Sequence, residues 1–99
     1  MPTMTQDQII DQVKTIKPIL FTQYHITRIG IFGSVIKGDW TDESDIDILV
    51  EFSDPPGLFR FIEIENFLSD TLNAPVDLVE INGIKPRLKN RILSEVAYV

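Results

Sequence analysis

The sequence has no cysteine among its 99 residues, so neither a disulfide framework nor a thiolate zinc site can hold it together. Long hydrophobic runs are missing too. The longest unbroken apolar stretch, Val96 to Val99, is four residues, against the roughly 20 of a membrane-spanning helix. The segment Met1 to Gln8 lacks the basic flank and apolar core of a signal peptide. Basic residues are few: nine stand against fifteen acidic ones, for a net charge of −6. Such a chain lacks the basic surface that neutralises nucleic-acid phosphates. These absences predict a cytoplasmic protein that binds neither membrane nor nucleic acid.

What is present points to one folded unit. An apolar fraction of 43% with 24% charged residues is ordinary for a soluble globular chain. The length predicts a single small domain over residues 1–99, with one core and little to spare. The acids are unevenly placed. Seven of the fifteen (Asp39, Asp42, Glu43, Asp45, Asp47, Glu51 and Asp54) lie between residues 39 and 54. In an ordered protein such a focus suggests a cation site; if the acids were all on loops it would read as a solvated loop.

Periodicity gives the element order. Ile9, Val13, Ile16, Leu20 and Tyr24 recur at spacings of three and four, which predicts a helix over 5–24 with a break or kink at Pro18. Ile26 to Phe32 is β-branched and aromatic-rich and stops at Gly33, as a strand does. Ser34 to Lys37 reads as a short helical turn ended by Gly38, and Asp39 to Ser44 as loop. Ile46 to Phe52 is the second strand, followed by the breaker Asp54-Pro55-Pro56-Gly57. Leu58, Phe61, Ile62, Leu68 and Leu72 predict one face of a further helix, ended by Asn73-Ala74-Pro75. Val76 to Ile81 reads as a third strand, and Pro86 opens a last helix bearing Leu88, Ile92 and Val96. The order α-β-α-β-α-β-α predicts an α/β (α+β) fold with helices over one face of a short sheet.

Chemistry concentrates at three places. Asp45 and Asp47, two apart on a strand, project to the same side, while Ile46, Ile48, Val50 and Phe52 face the other way. Two such charges about 6 Å apart repel by ~3 kcal/mol at an effective dielectric near 20, a cost that a divalent cation would remove. Aspartate oxygens suit Mg²⁺; a strand entered from an acidic turn would show the same pair. An EF-hand is excluded, because the loop lacks the glycine its sharp turn requires. Gly33-Ser34, at the end of a strand and the start of a helical turn, offers free backbone N–H groups and close approach to a phosphate. Lys37, one turn on, would add a point charge. The plain alternative is that Ser34 is an N-cap and Lys37 a surface lysine. Asp77 sits early in an otherwise apolar strand, where burial without a partner is expensive. If that strand lies beside the second, Asp77 joins Asp45 and Asp47 around one site; otherwise it is a water-exposed strand-edge residue.

In combination these residues resemble a known pattern. Gly33-Ser34, then Asp45-Ile46-Asp47, then a carboxylate in the next strand is similar to the signature of the polymerase-beta-like nucleotidyltransferase superfamily. The stretches Ile29-Gly30-Ile31-Phe32-Gly33-Ser34-Val35-Ile36-Lys37-Gly38, Ser44-Asp45-Ile46-Asp47-Ile48-Leu49-Val50 and Val76-Asp77-Leu78-Val79 resemble its small single-domain branch, the minimal nucleotidyltransferases of the MntA type that act as antitoxins to HEPN-domain toxins. The resemblance implies a short mixed sheet and an Mg²⁺-dependent transfer of AMP from ATP. It assigns a Mg²⁺ pair to Asp45 and Asp47, with Asp77 ligating the nucleophile-side metal and helping to deprotonate the acceptor. Gly33 and Ser34 would grip the outer phosphates, and the acceptor would be a tyrosine of the cognate HEPN toxin. Relatives often carry arginine where this chain has Lys37, which keeps the charge and loses the bidentate grip. Homo- or hetero-oligomers are compatible with this reading.

Two other functions fit parts of the sequence. One is a binding module that neutralises a partner by occlusion without catalysis; the other is nucleotidyl transfer to a small molecule. His25 has no partner within sequence reach and reads as structural or exposed, and Trp40 as a partly exposed cover over a loop. Lys85, Arg87, Lys89 and Arg91 read as a mostly solvated face, and Phe59, Phe61 and Phe67 as core.

Overall fold

The computed structural model describes residues 4–41 and 43–99; Asp42, one of the acidic-focus residues, and residues 1–3 lie outside them. Helix α1 (Gln6–Gln23) leads into β1 (Ile26–Phe32) and a one-turn helix α2 (Ser34–Lys37). Strand β2 (Ile46–Phe52), α3 (Leu58–Leu72) and β3 (Val76–Glu80) follow, and a 3-10 turn at Ile81–Gly83 precedes α4 (Pro86–Glu95) and β4 (Ala97–Tyr98). The sheet is mixed, in the order β3-β2-β1-β4. Strands β1 and β2 pair antiparallel, as do β1 and β4, while β2 and β3 run parallel across the α3 crossover.

Local chemistry accounts for most of these boundaries. Thr5 and Gln8 form a reciprocal capping box at the start of α1. Asn73 closes α3 in the left-handed conformation, φ 53°, which a short polar residue tolerates. One sheet face carries Ile29, Ile31, Ile46, Ile48, Val50 and Leu78 against Ile9, Val13, Ile16 and Leu20 of α1 and Ile64, Leu68 and Leu72 of α3, all buried. The mixed sheet with helices on this face is the predicted architecture.

Several expectations are corrected. A break at Pro18 does not occur: helix α1 runs through it as one element; Pro18 is exposed, and Ile16 and Leu20 on either side are buried, so packing carries the helix past the missing N–H. Strand β4 has no counterpart in the sequence pattern, in which Val96 reads as the last apolar position of α4. Instead Val96 caps that helix and the chain turns to pair Ala97 with Ile31 and Tyr98 with Gly30. The core stripe of α3 is rotated: Ile64, Leu68 and Leu72 are buried, whereas Leu58 is 71%, Ile62 41% and Phe59 86% exposed. Phe59 lies five residues from Ile64, about 140° round the helix at 3.6 residues per turn, and so leaves the core. Phe61 and Phe67 do pack against the core. Strand β3 lies at one edge of the sheet, beside β2.

Candidate active site

The site is built where β1, β2 and β3 pass through one row. Phe32 pairs with Asp47 and Asp47 pairs with Asp77, so register neighbours on three strands stand side by side on the face away from α1 and α3. Ile31, Ile48 and Leu78, one residue away on each strand, turn into the core and fix which face the carboxylates take.

Gly33 follows Phe32 directly and closes one end of the row. Its backbone has φ 74° and ψ −143°, a conformation that excludes L side chains. A Cβ there would clash with Asp47 Oδ2. The position therefore demands glycine twice over, and the Asp47 carboxylate is seated against bare backbone. Gly33 is itself the N-cap of α2, and no side chain caps the turn. Ser34 is the first helical residue and not a capping one, which removes the plain alternative for its hydroxyl. Gly38 ends the turn at φ 86° with its N–H donating to the Ser34 carbonyl.

Burial and mutual repulsion both disfavour charge on these carboxyls. Asp47 is pushed up from its ordinary 3.8 to about 6, first by burial and then by the charges of Asp77, Asp45 and Glu95, with Lys37 opposing. Asp77 is also raised, by burial and then by Glu65 and Asp45. Asp45 precedes β2 and is exposed, Asp47 is half-buried, and Asp77 is exposed on the edge strand. Asp77 is therefore open to solvent and, at the same time, the lateral neighbour of Asp47. Among the described residues, no group of three acidic or histidine side chains stands at metal-ligand spacing. The donors are nonetheless all oxygen and net negative, and the raised Asp47 shows an uncompensated cluster, so their chemistry fits a magnesium ion.

The model of the nucleotidyltransferase domain family matches residues 7–99. The chain belongs to that family. It is 36% identical over 99 residues to the protein adenylyltransferase MntA of Thermococcus cleftensis, with both chains covered in full. A Methanocaldococcus jannaschii chain provisionally named a protein adenylyltransferase is 43% identical over 96 residues, covering 96% of this chain and 98% of the relative. In three dimensions, a solved structure provisionally described as a minimal nucleotidyltransferase superposes with TM-score 0.83 at 26% identity, covering 98% of each chain. A chain of the tri-AMPylated Shewanella oneidensis HEPN toxin–MNT antitoxin complex shares the fold, with TM-score 0.68 at 23% identity over 95% of this chain and 71% of that one. The protein is thus an enzyme of nucleotidyl transfer.

Two carboxylates of this nucleotidyltransferase escaped sequence reasoning. Glu65, on the inner side of α3, accepts the Leu78 N–H of the β3 edge at 3.0 Å; it satisfies an edge donor that no strand pairs. Glu95, the last residue of α4, accepts the Gly33 N–H at 3.1 Å and lies 3.8 Å from Lys37 Nζ. No spacing rule reaches across the 62 residues between Gly33 and Glu95. Two of the residues set aside behave as expected: Trp40 half-covers its loop, donating to the Ser44 carbonyl at 3.2 Å, and His25 is exposed. No helix among the described residues is long and apolar enough to cross a membrane.

Proposed function

We propose that this nucleotidyltransferase moves AMP from ATP to a hydroxyl of a partner protein, a tyrosine of a cognate HEPN-domain toxin, and acts as its antitoxin in the cytoplasm, with residues 1–99 forming one catalytic domain. The observation that carries this reading is the Phe32–Asp47–Asp77 row ending in the Gly33-Ser34 corner. Kinship with the Thermococcus cleftensis MntA supports the protein acceptor, and the fold shared with the toxin–antitoxin complex supports the partner.

In this reading the outer phosphates of ATP lie against the Gly33 and Ser34 backbone, with the Ser34 hydroxyl and Lys37 adding hydrogen bonds and charge. Asp45, Asp47 and Asp77 would hold magnesium, two ions in the reading the sequence supports. Bound there, magnesium supplies charge stabilisation at the reacting phosphorus and the departing oxygen. The exposed Asp77, at the open sheet edge, meets the incoming protein and takes the hydroxyl proton. The acceptor oxygen forms a bond to the α-phosphorus, the bond from that phosphorus to the bridging oxygen breaks, and pyrophosphate leaves with the electron pair. A raised carboxylate is better matched to such proton transfer near neutrality than one at its ordinary value.

The test is incubation of the protein with labelled ATP, Mg²⁺ and the HEPN toxin from the neighbouring reading frame. Label on a toxin tyrosine is expected, and its absence with folded components counts against the proposal. If an Asp45→Asn/Asp47→Asn double variant still neutralises the toxin in cells, neutralisation by occlusion replaces it.

A further inference from the structure

Glu95 occupies the place this enzyme needs for phosphate. Its Oε2 accepts the Gly33 N–H and faces Lys37 Nζ, and a backbone N–H has a single proton to give. A phosphate oxygen and Glu95 therefore cannot both take that donor. The Glu95 side chain is only 17% exposed, whereas that of Lys37, its ion-pair partner, is 54% exposed and reachable by an incoming anion.

The carboxylate is held there by the fold. The next residue, Val96, packs so closely over β1 that a Cβ on Gly30 would lie 2.6 Å from its Cγ2. Beyond it, β4 pairs with β1 through Tyr98 and Ala97, the Val99 N–H donates to the Ile29 carbonyl at 2.9 Å, and Lys17 Nζ donates to the Val99 carbonyl at 2.8 Å. The backbone on which Glu95 hangs is thus tied to the sheet, and the side chain can leave Gly33 only by turning about its own bonds. Its charge also reaches Asp47.

We propose that Glu95 is a tethered stand-in for phosphate, a positioning residue that holds the Gly33 amide and Lys37 until the triphosphate displaces it, and so sets the affinity for nucleotide. The proposal rests on the phosphate-gripping role assigned above to Gly33 and Ser34. Displacing a charged acceptor from a half-buried amide weakens nucleotide binding by about tenfold relative to a protein without that charge.

The experiment is calorimetric titration of the full chain with ATP and Mg²⁺, comparing the native protein with Glu95→Gln and Glu95→Asp. Glutamine keeps an acceptor of the same length and removes the charge; aspartate keeps the charge and shortens the reach by one methylene. Both are expected to bind ATP more tightly, Glu95→Gln by about tenfold, and to lower KM for ATP in toxin labelling while kcat holds. A merely structural role would not move KM alone in that direction. Native-like ATP binding in both variants, or weaker binding in Glu95→Gln, overturns the proposal and leaves the nucleotide site standing. If neither the native protein nor the variants bind ATP, the site reading fails and takes the proposal with it.

Discussion

Asp47 is ionised against its surroundings, and replacing it should make the protein more stable while destroying its activity. Its carboxyl is pushed from 3.8 to about 6. A carboxyl whose folded value exceeds its unfolded value keeps its proton longer in the native state. Stability therefore falls as pH rises from about 4 to about 6, and the penalty is constant above that range. About two units correspond to ~3 kcal/mol, and contact with solvent screens this to roughly 1–2 kcal/mol. Asp47→Asn is nearly isosteric, fits against the bare Gly33 backbone and removes the charge. In the metal-free protein at about pH 8 it should raise Tm by roughly 5–10 °C for a chain this size. At about pH 4, where the native carboxyl is itself neutral, the two proteins should melt together. Thermal unfolding followed by circular dichroism across that range reads the difference directly. A gain equal at every pH would mean that packing, not charge, is responsible. A loss of stability at neutral pH would show that Asp47 has a compensating partner, and the repulsive cluster would have to be abandoned.

Other consequences follow from the same geometry. Gly33→Ala places a Cβ against Asp47 in a left-handed backbone, and should cost about 1–3 kcal/mol in urea melts and abolish labelling. Glu65→Ala frees the Leu78 N–H; the Leu78 amide should exchange faster, stability should fall by about 1 kcal/mol, and the Asp77 carboxyl should titrate lower once the Glu65 charge is gone.

Helices, strands and their order were legible in the sequence because each announces itself over a few residues: a period of three to four, a β-branched run, a glycine or proline stop. The Gly33-Ser34 and Asp45-Ile46-Asp47 spacing was legible for the same reason, since a strand's alternation alone sets which way Asp47 points. What the sequence could not reveal lies in pairings between distant segments. The α3 face was misread because several apolar residues offer more than one stripe, and only contact with β3 and α1 selects Ile64, Leu68 and Leu72. Strand β4 exists because β1 has a free edge beside Gly30 to receive it. The parallel register that sets Asp77 next to Asp47, and the reach of Glu95 to Gly33, are likewise tertiary. By itself the sequence determined which groups carry the chemistry, because residue type and local period decide that. Which of them stand in one another's field was decided only by the sheet, because electrostatic and hydrogen-bond energies depend on distances in space that the chain closes only on folding.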